Sequence, residues 1–583
     1  MMSVKAKRRI VLKKIAAVDT ETTGLNRHSE KVAVTHMSYW TSRGVGSAFE
    51  VDHVKKERVR RICADTSVTK VFFNAKFDIG MLAKEGIVVR GPIICVLLMA
   101  QMMLPDEKQK KLKVLARKLL KYAFLEEVRM KNWLDANKLT KSSMHLAPKH
   151  ILEPYALADA VQTLELFYYL SAGIDEHHMW HVVEREMCLM KYSVTPMEDA
   201  GVSLDLEEVD RLQIQVRKKL RELKKGIVKI VGYPEFNPNS YPQVLKALQK
   251  EGIFKPSRFT KKGKPTTDGV ALIERPSPLG MLLLQYRKLV KAGSTYLTKF
   301  DKKILRVSFN QNGAKTGRQS SSDPNLQNIP RPDEDSLLGQ IRRVFVRRPG
   351  HRLFFYDYNQ IEMRLTAHFS QEEHMLDAIN NGVDLHDVVC KKMFNLNHNS
   401  PNWGVMRYLA KTLNFSVLYG TGPEAFMSTV LKQTGGNIRL KIYEAAKYIN
   451  EWKASHPGVM QLFEDVAMEA AKTGGITNHY GRFIEVARGR AYAGVNYKVQ
   501  GSAADFMKMK TLEVCRLLDG TDILNILAVH DELGFDIPKH EKIWIPQILE
   551  VMQDLTSFSV PLTVSAGSGI NWMDKKDIIL PAA

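Results

Sequence analysis

The chain has 583 residues, 44% of them hydrophobic and 25% charged. That balance excludes a mostly disordered chain, and the length allows several packed domains at about 100–200 residues each. Lys and Arg number 85 against 63 Asp and Glu, a formal net charge of +22. A folded protein holds such an excess most easily beside a polyanion, nucleic acid first among them; a basic protein without that role is the plain alternative.

Five cysteines (Cys63, Cys95, Cys188, Cys390 and Cys515) are scattered without a C-x-x-C pair. Neither a zinc site nor a disulfide framework is indicated, and the pattern suits a reducing compartment. The opening MMSVKAKRRIVLKKIAAVD is basic, but Lys13, Lys14 and Asp19 interrupt its apolar run, so no secretory leader is expected. The longest apolar stretch, Ile93 to Leu104, is too short to span a bilayer, and no membrane role is expected. No internal repeat is visible.

In chain order, RIVLKKIAAVDTE reads as a strand and TKVFFNAKFD as another, with a helical pattern from about Ile79 to Lys84. ALADAVQTLELFYYL reads as a helix with Leu157, Val161, Leu164 and Tyr168 at helical spacing. Strands mixed with helices predict an α/β domain. A helical stretch from Glu184 to Tyr192 then leads to a boundary between about 175 and 205. Residues 206–232 predict a long helix with Val209, Leu212, Val216, Leu220, Leu223 and Ile227 on one face. Arg217, Lys218, Lys219, Arg221, Lys224 and Lys225 surround the rest: a solvated face on the plain reading, a phosphate-facing helix on the functional one. FTKKGKPTTDG at 259–269 reads as a basic hairpin tip.

DTETTGL sets Asp19 and Glu21 two apart at a strand end, hence on one face. NAKFD supplies Asp78, and YALAD supplies Tyr155 and Asp159 one helical turn apart. Four acids and a tyrosine suit a site for two hard divalent ions, which take oxygen ligands and stabilise the attacking and leaving oxygens of phosphodiester hydrolysis. These three segments resemble the D-x-E, N-x-x-x-D and Y-x-x-x-D motifs of the DnaQ-like 3′→5′ exonucleases. The resemblance covers about residues 10–175. It implies Asp19, Glu21, Asp78 and Asp159 as metal ligands and Tyr155 as the residue that positions water. All five are present, so an active exonuclease is expected.

Further on, LFFYDYNQIEMR predicts a buried strand that delivers Asp357 to its end, and ILNILAVHDELGFDI predicts a hairpin with His530, Asp531 and Glu532 at its turn. On the functional reading Asp357 and Asp531 share two Mg²⁺ ions across neighbouring strands; for His530, Asp531 and Glu532 taken alone, plain turn chemistry is the preferred reading. Between them, RYLAKTLNFSVLYG puts Arg407, Lys411, Phe415 and Tyr419 in one row of a helix at four-residue spacing. Aromatics in such a row usually mean core, but a core face does not readily accept unpaired Arg and Lys. Charge for a triphosphate followed by flat faces for a base is the functional reading.

These segments, with TGR…PNLQNIP at 316–330, STYL, DLH at 384–386, NYKVQGSAAD and GINW, resemble motifs of the family A DNA polymerases, the class of bacterial DNA polymerase I, over about residues 184–572. Phage replicative polymerases of the same family look similar. The resemblance implies an α/β and α+β multidomain chain: an RNase H-like exonuclease domain (1–180) and a right-hand polymerase domain (181–583). The thumb is expected at about 206–305, the palm at about 306–375 and 490–583, and the fingers at about 376–489. No 5′-nuclease segment is expected ahead of Asp19. The implied activity is template-directed addition of deoxynucleotides to a primer 3′ end, with 3′→5′ proofreading.

The same resemblance distributes the roles. Asp357 and Asp531 hold two Mg²⁺, with Mn²⁺ as substitute, and Glu532 supports them. Arg407, Lys411 and His386 bind phosphates, with Lys411 also placed to protonate pyrophosphate. Glu362 excludes a ribose 2′-hydroxyl, Gln360 lies beside the nucleotide, Phe415 stacks near its sugar and base, and Tyr419 covers the template-base position. Phe415, rather than Tyr, implies poor use of dideoxynucleotides. Arg318, Asn325, Gln327, Asn496, Gln500 and His530 contact DNA, some of them reading minor-groove acceptors that every correct pair presents. Asn359, Ser416, Tyr492 and Cys95 depart from common family residues. Expected partners are primer-template DNA and deoxynucleoside triphosphates; a monomer is expected, in a host cytoplasm if phage-encoded, or else in an organelle. A single-subunit RNA polymerase and a DNA-binding scaffold with inactive sites are the competing readings. Glu362 and the exonuclease motifs oppose the first, and the full set of acids opposes the second.

Overall fold

The computed structural model describes residues 14–121, 124–250, 259–260, 263–330 and 336–578. They form two compact units. The first comprises residues up to Asp199 together with Gln311–Gly317 and Tyr480–Phe483; the second comprises the remainder.

The first unit is built on a five-stranded sheet in the order Gly46–Glu50, Val34–Thr41, Ile15–Thr22, Thr69–Phe72, Ile93–Cys95. Its central strand Ile15–Thr22 runs antiparallel to Val34–Thr41 and parallel to Thr69–Phe72. Ile15, Ala16, Ala17 and Val18 are all buried, the unbroken apolar run of a strand covered on both faces. Arg9 to Lys13 of the expected strand lie outside the described residues. The helix Lys149–Glu176 follows Pro148 and buries Ala160, Leu164, Phe167 and Leu170 in the core that also holds Val18, Phe72 and Leu82.

Two expectations are corrected here. The strand predicted over TKVFFNAKFD ends at Phe72, and the helix Ala75–Lys84 begins well before Ile79. Ala75, Asp78, Met81 and Leu82 form its buried face, a period near 3.6 that overrides the short β-prone run before it. Tyr168 is 47% exposed rather than on the apolar face. The buried stripe of its helix passes through Phe167 and Leu170 instead.

The unit continues past residue 180 through the helix Trp180–Leu189 and the π turn Met190–Val194. Its two late segments are anchored by a buried network. The Glu186 carboxylate accepts from Arg482 (2.5 Å) and from Gln311 (2.9 Å), and Asn312 Oδ1 accepts from Arg482 Nη1 (3.1 Å). Removing one partner of such a buried pair costs about 3–5 kcal/mol.

The second unit centres on an antiparallel sheet ordered Leu524–Val529, Glu532–Pro538, His351–Tyr358, Val564–Gly569, Lys576–Asp577. Alternation splits its central strand. Phe354, Tyr356 and Tyr358 face the helices Ala493–Leu517 and Trp544–Met552: the Tyr356 hydroxyl donates to the Ile545 carbonyl (2.9 Å), and the Tyr358 ring meets Phe506 edge-on. Phe355 and Asp357 point to the other face, opposite Gly534 and Glu532 on one side and Gly567 and Ser565 on the other. Phe355 and Glu532 are buried on that face, whereas Asp357 is half-buried and Ser565 exposed toward the strand end.

A helical layer over residues 361–473 packs around Met363, Leu409, Leu413, Val417, Phe426 and Trp452. The helix Leu206–Val231 starts at Asp205, whose carboxylate accepts from the Glu208 N–H (3.0 Å). It ends at Gly232, whose φ of 71° is the left-handed stop that glycine adopts freely. Val209, Leu212, Val216, Leu223 and Ile227 are buried, Leu220 is half-buried, and all six Arg and Lys residues of its basic face are exposed. At 259–269 the chain does turn back: Phe259 bridges Pro265, and the Thr260 N–H donates to the Lys264 carbonyl (2.7 Å). Lys261 and Lys262 of that expected tip lie outside the described residues.

Candidate active sites

In the first unit, three elements deliver acids to one place and a fourth delivers a lysine. The end of the strand Ile15–Thr22 carries Asp19 and Glu21, and the pairing register shifts just beyond Glu21. The helix Lys149–Glu176 carries Asp159, and oxygens of Asp19, Glu21 and Asp159 lie within 4.8 Å of one another. Asp78, on the helix Ala75–Lys84, accepts from the Thr20 hydroxyl (2.7 Å). The fourth element is one that sequence reasoning missed. Lys113, on the helix Leu112–Leu119, pairs with Asp159, lies 3.7 Å from Glu126, and sits 4.3 Å over the Tyr155 ring. Nothing local separates Lys113 from its neighbours Lys110 and Lys111; only the fold selects it.

Burial raises every acid of this set, and repulsion from the others adds to it for Asp19 and Glu21. Asp19 is held well above the usual range by burial, then by Asp78, Asp159 and Glu21. Glu21 is pushed to about 8 by burial and then by Asp159. Burial takes Asp78 to about 7 against the opposing Thr20 bond, and burial also raises Asp159 against Lys113. Burial likewise raises the Tyr155 hydroxyl, which stays a protonated donor. Several converging carboxylates offset by one lysine are an all-oxygen donor set short of positive charge, which fits hard divalent ions.

In the second unit, Asp357 ends the central strand directly opposite Glu532, and the Tyr358 N–H donates to the Asp531 carbonyl (3.3 Å). Asp357 and Asp531 therefore come together at one end of adjacent strands. The turn is held from outside: Gln327 Nε2 donates to the Ala528 carbonyl and its Oε1 accepts from the His530 N–H, both at 2.8 Å. Asn325 in turn caps the Gln327 N–H (3.0 Å). The side-chain amide of Gln327 is thus committed to the turn rather than presented to a base edge. His530 is exposed with φ of 56°. Glu532 is buried, accepts from Trp572 Nε1 (2.8 Å) and pairs with Lys575. A cleft beside the turn is lined by Arg318, Ala503, Met507, His530 and Asp531.

Arg407, Lys411 and Phe415 lie along the helix Trp403–Leu418, with Tyr419 at its end, all half-buried. Arg407 binds Asp384 (2.7 Å) and Asp387 (2.5 Å). Asp384 also accepts from Gln360 (2.7 Å) and from the His386 N–H (2.7 Å), so it is a hub that local reading reduces to a helix N-cap. Glu362 is buried, accepts from the Tyr419 hydroxyl (2.6 Å) and pairs with Arg318. Arg318, expected at the minor groove, is paired with Glu362 in this structure. Gln500 reaches the Tyr419 hydroxyl. One turn earlier on the same helix, Asn496 has a buried Oδ1 without a hydrogen-bond partner. His386 is buried, 5.8 Å from the Phe415 ring, and burial lowers it to about 4, so it is neutral.

The departures find local explanations. Asn359 bonds Thr563 (3.1 Å) and Ser565 (2.7 Å), tying the Asp357 strand end to its neighbour. Tyr492 packs under Gly420, whose φ of 65° and lack of Cβ permit the approach. Ser416 and Cys95 are buried.

A polymerase sheet and a nuclease-like acid cluster are what these two units define, and the comparisons give the family. The family model for DNA polymerase family A matches residues 206–574, and a 3′-5′ exonuclease model matches residues 5–175. The chain belongs to DNA polymerase family A. It is 29% identical over 563 residues to DNA polymerase I of Synechocystis sp. (strain ATCC 27184 / PCC 6803 / Kazusa), covering 89% of this chain and 55% of that protein. To the thermostable DNA polymerase I of Thermus thermophilus it is 32% identical over 427 residues, 69% of this chain and 49% of the other. DNA polymerase I of Bacillus subtilis (strain 168) is 31% identical over 456 residues, 74% and 49%. The chain spans about half the length of these curated relatives. The polymerase domain of Pol1 from M. smegmatis, solved with DNA primer-template and dNTP, shares its fold at a TM-score of 0.80 and 24% identity over 96% of each chain. Among the described residues no helix is long and apolar enough to cross a membrane.

Proposed function

We propose that the chain extends a DNA primer on a template from deoxynucleoside triphosphates and trims the same 3′ end from its first unit. The observation that carries the polymerase reading is the meeting of Asp357, near the end of its strand, with the turn that bears Asp531. In this reading the antiparallel sheet is the palm, residues 376–489 are the fingers, and residues 206–305 are the thumb. The exposed basic face of Leu206–Val231 then tracks duplex phosphates, and binding weakens steeply with salt.

Asp357 and Asp531 would hold divalent ions, Mg²⁺ by preference, which supply charge neutralisation and a more acidic primer hydroxyl. The protein's own part is positioning, which dominates phosphoryl transfer. Gln327 and the Glu532–Trp572–Lys575 contacts fix the turn that bears Asp531. Arg407 and Lys411 attract the triphosphate, Arg407 exchanging part of its hold on Asp384 and Asp387 for phosphate oxygens. Lys411 holds the proton that leaves with pyrophosphate. Glu362, braced by Tyr419 and Arg318, fills the space of a 2′-hydroxyl.

In the first unit Asp19, Glu21, Asp78 and Asp159 would hold the ions. The protonated Tyr155 hydroxyl orients the attacking water.

A primer-template with matched or mismatched 3′ ends tests both halves. Asp531→Asn removes extension and leaves shortening, while Asp19→Asn does the reverse. Loss of both activities in either variant refutes the assignment of two separate sites.

A further inference from the structure

We infer that Asn414, oriented by Trp452, fixes His386 as the Nε2–H tautomer, so that the ring offers a donor to the phosphates of the incoming nucleotide. The inference rests on the reading of His386 as a nucleotide contact.

The argument is one of donors and acceptors. An indole N–H only donates. Trp452 Nε1 donates to Asn414 Oδ1 at 2.6 Å, which turns the amide nitrogen of Asn414 away from the indole. That nitrogen lies 2.9 Å from His386 Nδ1. An amide nitrogen also only donates, so Nδ1 must present its lone pair, and the proton of a neutral ring must sit on Nε2. The opposite amide orientation would set two donors face to face at the indole, which excludes it.

The surroundings keep this arrangement. Trp452, Asn414 and His386 are all buried, where an unsatisfied polar group is costly. Trp452 is held by stacking on His456, with ring centroids 4.0 Å apart and 9° between planes. His386 is held by its helix N-terminus, where Asp384 accepts from its backbone N–H. The charged groups that face the ring are Asp384, Asp387, Arg407 and Lys411. An imidazolium would place an N–H against the Asn414 amide and a positive charge beside Arg407 and Lys411, so the ring stays neutral. Phosphate oxygens accept only; a ring fixed the other way would meet them with a lone pair. Asn414 is a positioning residue that acts through His386. It lies between Leu413 and Phe415 and would read from sequence as core.

The test is a two-bond ¹H–¹⁵N spectrum of the full chain labelled with ¹⁵N-histidine, with His386 assigned by its loss in His386→Gln. The expected pattern at neutral pH is an unprotonated Nδ1 and a protonated Nε2. In Asn414→Asp the carboxylate accepts from Trp452 and from the ring, so the proton moves to Nδ1. Its KM for the nucleotide should rise about tenfold with a smaller change in kcat, the loss of one bond to a charged acceptor. In a His386→Gln background the same substitution should add nothing. Trp452→Phe keeps the stacking but frees the amide, and should give mixed tautomers if Asn414→Asp does not fold. A protonated Nδ1 in the unaltered protein overturns the inference, as does an undiminished Asn414→Asp effect without His386. An unchanged KM in His386→Gln overturns the nucleotide contact on which the inference rests, while the spectrum still reports the tautomer.

Discussion

The two acid clusters are prepared in opposite ways. In the first unit Asp19, Glu21, Asp78 and Asp159 converge with Lys113 as their neighbouring cation among the described residues, and burial raises all four, with mutual repulsion added for Asp19 and Glu21. In the second unit the charges around Asp357 and Asp531 are already matched: Glu532 with Lys575, Glu362 with Arg318, Asp384 and Asp387 with Arg407. One site stores unbalanced negative charge that added cations relieve. The other holds its charges already paired, and in the proposed reading an incoming triphosphate exchanges some of those pairs. Cation binding should therefore change the stability of the first unit, and nucleotide binding the contacts of the second.

The sharpest break between the two is catalytic. Asp531→Asn should lower primer extension by about 10³-fold, since a bound ion contributes several kcal/mol, and should leave 3′ shortening intact in a gel assay. Next, Lys113→Met removes the lone cation of the first site. In chelator the first unit should lose about 3 kcal/mol in calorimetry, with divalent ions restoring most of it. A loss that ions do not restore would mean that Lys113 serves packing rather than charge.

Glu362→Ala should admit ribonucleotides and cost about 1–3 kcal/mol by leaving Arg318 and the Tyr419 hydroxyl without their acceptor. Unchanged sugar selection in competition assays would end the exclusion reading. Gln327→Leu frees the Asp531 turn, and kcat should fall about tenfold with KM little altered. The smallest effect concerns pH. His386 is lowered to about 4 by burial, so the unfolded chain takes up its proton first. The stability from this group is present above about 6.5 and is lost as pH falls toward 4. His386→Gln should flatten that part of a melting-temperature profile between pH 7 and 5.

Much of both sites was legible because the carriers are short and local. Asp19 and Glu21 share a face through strand alternation, and Tyr155 and Asp159 through one helical turn. The row from Arg407 to Tyr419 follows from helical spacing alone. The failures are equally specific. TKVFFNAKFD looked like a strand throughout because Val71, Phe72 and Phe73 are β-prone, whereas burial of Met81 and Leu82 against the core draws the helix start back to Ala75. Nothing in the segments of Arg318 and Gln327 announces their contacts with Glu362 and with the Asp531 turn.

Composition, spacing and motif order by themselves determined the class of chemistry: two sets of oxygen ligands, a cationic and aromatic helix face, and a basic surface. Those are properties of residue type and of separations of a few positions, and they survive in any fold that keeps the helices and strands. Only the tertiary structure decided that Lys113 balances Asp159, that Asp384 gathers Arg407 and Gln360, and that Asn414 meets both Trp452 and His386. All of these partners lie 23 to 46 residues apart. At such separations no periodicity constrains them, and packing alone brings a donor to its acceptor.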